Sequence, residues 1–132
     1  MKASVVLERA DVVRIAEAAE AEAARNGWAV TIAIADHGGH LLALHRLDGA
    51  APATAHVAPA KATAAAVFRD HTKTFEDRVN NGRFAFLSIP LGGLVEGGVP
   101  ILRDGQCIGA VGVSGALPAQ DVQIADAGIA AL

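Results

Sequence analysis

Val30-Thr31-Ile32-Ala33-Ile34-Ala35-Asp36-His37-Gly38-Gly39-His40-Leu41-Leu42-Ala43-Leu44-His45-Arg46 is the stretch whose reading decides the fold. Val30, Ile32 and Ile34 alternate with Thr31, Ala33 and Ala35, the period of two that characterises a strand. Asp36-His37-Gly38-Gly39 is built of turn formers, and a second strand runs from about His40 to Arg46. Two strands joined by so short a turn pair antiparallel.

Towards the N-terminus the period changes. Leu7, Val12, Ile15, Ala16, Ala19 and Ala23 recur at helical spacing, with Ser4 as the expected N-cap and Asn26-Gly27 as the stop. Towards the C-terminus, Asp48-Gly49 breaks the second strand. An Ala-rich helix follows from Pro52 to Phe68, with a junction or kink expected at Pro59 because proline lacks the amide donor. A short helix covers Lys73 to Val79, and Arg83 to Leu87 is an ambiguous apolar piece. Val99–Leu102 and Cys107–Val113 flank Asp104-Gly105, the strongest hairpin signal in the chain. Pro118 suits the first turn of a last helix, with Asp121 near its positive end. Hairpins rather than crossovers predict an α+β fold, an antiparallel sheet with helices packed on it. The 132 residues suffice for one domain spanning 1–132.

Composition narrows the function. The net charge is −3 and the pI is near 5.9, without the basic stripe of a nucleic-acid binder. Cys107 is the lone cysteine, which excludes an intrachain disulfide framework and a Cys-rich metal centre. Mean hydropathy is high, at +0.36, but much of it is alanine. No apolar run approaches the ~20 residues of a membrane span, and the first residues lack a signal peptide's apolar core. A soluble, cytoplasmic protein is expected, with neither nucleic acid nor membrane as partner.

Ile34 to Ala50, Pro59-Ala60-Lys61-Ala62-Thr63-Ala64, Gly97-Gly98-Val99-Pro100-Ile101, Ile108 to Gly115 and Gln120-Asp121 together resemble the GlcG/HbpS-like proteins. This is the haem-degrading domain family, which includes the C-terminal domain of PduO-type proteins. Each piece alone is unspecific; their order and spacing, over nearly the whole chain, carry the resemblance. It implies a profilin/PAS-like topology and homo-oligomers built on dimers, up to tetramers or octamers. For some members it implies haem or corrinoid-linked roles. His37, His40 and His45 depart from the family pattern, as does Val122. The histidines could mark a subfamily with its own ligand or reaction.

Several side chains are candidates for chemistry. His37 and His40 lie three apart around the first turn, with His45 further along the strand. Imidazoles there could shuttle protons or, with Asp36 as a third ligand, hold a metal or haem iron; the alternative is solvated turn histidines. Arg46 and Asp48, two apart, could pair on one strand face, and Arg46 offers a planar fork to a carboxylate. Lys61 stands among alanines, where it either reaches out to water or clamps an anion. Glu96, between Gly92-Gly93 and Gly97-Gly98, could serve as a general base or sit in an exposed loop. Ser114-Gly115, before the last helix, could bind a carboxylate. His56 precedes Lys61 by five residues, which is not a same-face spacing, His71 reads as a surface residue, and Cys107 reads as a core residue.

Two functions follow, beside the plain alternative of a scaffold or accessory protein. One is an oligomeric protein binding haem or another small carboxylate-bearing ligand, with a hairpin histidine on iron and Arg46 or Lys61 on propionates. The other is a cofactor-independent lyase, isomerase or tautomerase acting on a small organic or aromatic acid. There His37, His40 or Glu96 moves a proton, an effect worth about 10²–10⁴-fold in rate. The Ala-rich helices, with few large aromatics, predict helix contacts between subunits. The spatial premise of both is that the basic groups of the first hairpin and the Lys61 ammonium converge on one cavity.

Overall fold

The computed structural model describes every residue, Met1–Leu132. Strands β1 (Thr31–Asp36) and β2 (Leu41–Arg46) form the first hairpin. β3 (Gly98–Arg103) and β4 (Gln106–Ser114) form the second. β1 pairs antiparallel with β4, joining the hairpins into one sheet of order β2-β1-β4-β3. Asp104 and Gly105 turn the second hairpin at φ +50° and +75°, the positive pair that matches the twist of the flanking strands.

Alternation sorts the two faces of the sheet. Ile32, Ile34, Val111, Val113, Val99 and Ile101 share a core cluster with α1 (Arg9–Asn26) and α4 (Pro118–Ile129). Ala33 and Ala35 instead meet Ala58 and Ala62 of α2 (Thr54–Phe68) on the opposite face. The α2 layer is therefore made of small side chains, and glycine brings helix and sheet closer still. A Cβ at Gly112 would stand 2.2 Å from the Ala58 carbonyl oxygen, and one at Gly98 2.5 Å from that of Lys61. These two glycines face each other across β3 and β4, so they form a trough in which α2 rests.

Local readings need three corrections. α1 starts at Arg9 rather than beside Ser4; Glu8 is its N-cap, and its amide donates to Asp11 Oδ2 at 2.8 Å. Ser4 to Glu8 runs irregularly and lets Leu7 pack on the core. α2 continues through Pro59 without a break. One missing amide in the second turn costs one hydrogen bond, and packing of the alanine face outweighs it. The helix alanines Ala58, Ala62, Ala64, Ala65 and Ala66 are at most 1% exposed within a single chain. They are therefore not the unburied surface expected to drive association. The exposed apolar side chains include Leu41, Leu42 and Leu44 of β2. Phe84 and Leu87 of the 3-10 turn Phe84–Ser88 add to them, and that turn is the former ambiguous piece. A short helix α3 (Thr72–Asn80) lies between, and no helix is long and apolar enough to cross a membrane.

Candidate functional site

Lys61 projects from α2 toward the end of β4, where it is 4% exposed. Its Nζ donates to the Val113 carbonyl at 2.8 Å and to Asp121 Oδ2 at 3.2 Å. Asp121 Oδ1 also accepts the Ala116 amide at 3.0 Å. Burial lifts the Asp121 carboxyl above its ordinary value. The Lys61 ammonium and the Ala116 amide pull the other way, and the nearby Glu96 adds to the lift. Gly97 seals the pair, since a Cβ there would stand 2.5 Å from Nζ. Lys61 thus ties α2, β4 and α4 together, with its charge answered inside the protein. Asp121 reads in the sequence as a helix-dipole residue and is in fact the partner of Lys61.

The other candidates fall into separate groups. Arg46, Thr31 and Ser114 lie in one register row across β2, β1 and β4. Arg46 Nε donates to the Ala50 carbonyl at 3.1 Å and makes no ion pair with Asp48. The strand ends at Arg46, so the same-face spacing does not apply to Asp48. Asp48 instead borders a groove of about 240 Å³ beside Trp28 and Leu47. Ser114 is 9% exposed at the end of β4. Glu96 is half-buried, its amide 3.5 Å from Glu76 Oε1.

His37 and His40 stand at the far end of the hairpin, roughly 20 Å from Arg46 at the usual rise over six strand residues. Asp36 Oδ1 accepts the Gly38 and His40 amides, both at 2.9 Å, and His40 Nδ1 lies 3.1 Å from the same oxygen. Burial pushes the Asp36 carboxyl up, but those donors together hold it below its ordinary value. The His40 side chain is 81% exposed, and His37 has no hydrogen-bond partner. No three His, Cys, Asp or Glu side chains gather closely enough to hold a metal ion, so the expected site at His37 and His40 lacks its donor set. The proposed convergence does not occur. The turn histidines stand at the other end of the hairpin from Arg46, and Lys61 is closed against Asp121, so the three open onto no common cavity.

His45 is placed differently. It faces Ile32 across the hairpin and so points to the α1 side of the sheet. There its Nδ1 hydrogen-bonds Glu20 of α1. The pair sits in a groove of about 560 Å³ walled by Val12, Val13 and Ala16 of α1 and by Leu42 and Ala43 of β2, while Leu44, opposite Ala33, carries its side chain on the α2 face. Arg9, Glu17, Glu20 and His45 supply its polar lining, and His45 is the one histidine among them. That volume lies within the usual range of small-molecule sites, about 300–1,000 Å³. Sequence reading noted His45 but missed Glu20 and Arg9. The period of two did hold the signal, because it puts His45 on the face of Ala43.

A four-stranded antiparallel sheet between helix layers, with an imidazole-bearing apolar groove at one edge, defines an α+β domain of the kind read from the hairpins. The chain belongs to the HbpS-like family, described as "Haem degrading protein HbpS-like", which matches residues 7–130. It is 52% identical over 114 residues to Protein GlcG of Escherichia coli strain K12, covering 86% of this chain and 85% of that protein. The crystal structure of a PduOC:haem complex superposes with a TM-score of 0.88 at 30% identity, over 97% of this chain and 96% of the other. A double mutant of HbpS from Streptomyces reticuli gives a TM-score of 0.91 at 30% identity, over 100% of this chain and 90% of the other.

Proposed function

We propose that this protein binds haem in the groove between α1 and β2, with His45 as the iron ligand. The observation that carries the reading is the coincidence of apolar walls with an imidazole whose Nδ1 is already engaged by Glu20. That leaves Nε2 as the free donor. Membership of the HbpS-like family and likeness to a PduOC:haem complex support it. The donor set fits the group. The Val12, Val13, Leu42 and Ala43 walls suit the macrocycle, His45 the iron, and the Arg9 guanidinium a propionate. Arg9 takes the role expected of Arg46 or Lys61, since neither lines the groove and Lys61 is sealed against Asp121. Bound haem would supply an iron centre for redox or ligand-exchange chemistry. The chain's own part is to fix one face of it and keep water from it.

Titration with haemin tests this directly. A saturable Soret shift at one haem per chain is expected, and it should be lost in His45→Ala. No saturable shift in the unaltered protein overturns the reading. The same groove suits a small carboxylic acid, with Arg9 on the carboxylate and His45 Nε2 as proton acceptor. Displacement of haemin by such acids would favour that occupant. Association is part of the proposal, because β2 exposes Leu41, Leu42 and Leu44 on an unpaired sheet edge. Light scattering should give a multiple of 13.4 kDa, and a mass of one chain at micromolar concentration removes the oligomer.

A further inference from the structure

Resting on the haem reading above, we infer that Glu20 makes the groove selective for ferric over ferrous haem, acting through its hydrogen bond with His45. A carboxylate oxygen accepts, so a neutral imidazole in this hydrogen bond takes the Nδ1–H tautomer and keeps its Nε2 lone pair for a ligand. A carboxylate behind a ligating imidazole fixes the ring and strengthens its donation to the metal. Fe(III) gains more from that donation, and from the adjacent negative charge, than Fe(II). Val12, Val13 and Leu42 keep part of the water from the pair, so the charge is felt more strongly than in bulk water. Glu17 lines the same groove with the same sign, and Arg9 opposes both.

The molecule contains its own contrast. His40 and Asp36 form a similar pair, but that imidazole is 81% exposed against 48% for His45. Asp36 also spends its Oδ1 on two backbone amides. The Glu20 pair borders the 560 Å³ groove, and the Asp36 pair does not line it. Glu20 is therefore a positioning and tuning residue and does not touch iron.

A thermodynamic cycle converts selectivity into a potential. Each tenfold preference for the ferric form lowers the midpoint of bound haem by about 59 mV. Potentiometric titration of haem-loaded protein provides the reading, with haemin affinity measured alongside. Glu20→Gln keeps an acceptor for Nδ1–H but removes the charge. It should raise the midpoint by roughly 59 mV and weaken ferric binding about tenfold, leaving ferrous binding nearly unchanged. Glu20→Ala, which also frees the ring, should raise it at least as far. Circular dichroism should show both variants folded, because Glu20 is 35% exposed. An unchanged midpoint in both variants overturns the inference while haem binding stands. A Soret shift that survives His45→Ala overturns it by moving the ligand elsewhere. An unaltered protein that binds no haemin at all removes the haem reading itself.

Discussion

Lys61–Asp121 and His45–Glu20 both tie a helix to another element, the first as an ion pair and the second as an imidazole–carboxylate hydrogen bond, yet depth separates their uses. The first pair is 5% and 3% exposed, held by further backbone hydrogen bonds and closed over by Gly97. The second is 48% and 35% exposed and opens onto a 560 Å³ groove. A charge sealed in the interior must be answered by its neighbours and has nothing left for a ligand. A neutral imidazole at the lip of the groove, bonded to a carboxylate through one nitrogen, keeps the other free. Polar residues in an apolar sequence thus divide by whether their partners exhaust them.

The sharpest way to break this contrast is to remove one member of the sealed pair. Asp121→Leu leaves the Lys61 ammonium buried without a counter-charge and should cost about 3–5 kcal/mol in urea unfolding. Adding Lys61→Met should recover most of that loss, since an apolar pair of similar volume replaces a buried ion pair at little cost. If the double variant is no better than the single, the ion pair is not what Asp121 contributes. Next in size is Gly112→Ala. The new Cβ would meet α2 backbone at 2.2–2.4 Å, and a helix backbone cannot yield as a flexible side chain can. Overpacking of this kind should cost about 2–3 kcal/mol, seen as a lower thermal midpoint. An unchanged midpoint would mean that α2 does not rest on the glycine trough.

Acid titration sharpens the same division. Burial raises the Asp121 carboxyl above its ordinary 3.8, so the folded protein holds that proton where the unfolded chain has lost it. The group's contribution is therefore full below pH 3.8 and is lost as pH rises through the folded value. Asp36 runs the other way. Its burial is outweighed by the His40 and Gly38 donors and its carboxyl is lowered, so its contribution is present above pH 3.8 and lost as pH falls through the folded value. Urea midpoints followed downward from pH 6 should fall less in Asp36→Asn than in the unaltered protein. An identical slope would show that the turn carboxylate carries no part of the acid response.

The hairpins were legible because they are local. Period-two alternation, Asp36-His37-Gly38-Gly39 and Asp104-Gly105 specify strands and turns without help from elsewhere. The helix order and the Pro118 start were legible for the same reason. The site was not, because its partners are distant in sequence. Glu20 meets His45 across 25 positions and Lys61 meets Asp121 across 60, and no spacing rule covers such pairs. Three histidines near one turn suggest a cluster. The pleat divides His45 from the turn pair, and the strand's length removes Arg46 from them. The Ala-rich helix suggested a sticky surface, but Gly98 and Gly112 let it bury that face within one chain.

The smallest effect is the one that separates architecture from function. Glu20→Gln weakens a half-exposed pair, and such pairs are worth about 0–1 kcal/mol to folding. The variant should unfold within about 1 kcal/mol of the unaltered protein, whereas Asp121→Leu loses several times more. Its effect should instead appear in the groove, as weaker ferric haem binding and a higher midpoint. The two pairs should therefore rank in opposite order by stability and by ligand response. A Glu20→Gln protein that loses as much stability as Asp121→Leu would place His45–Glu20 among the structural pairs. The α1–β2 groove would then be a seam between helix and sheet rather than a binding site.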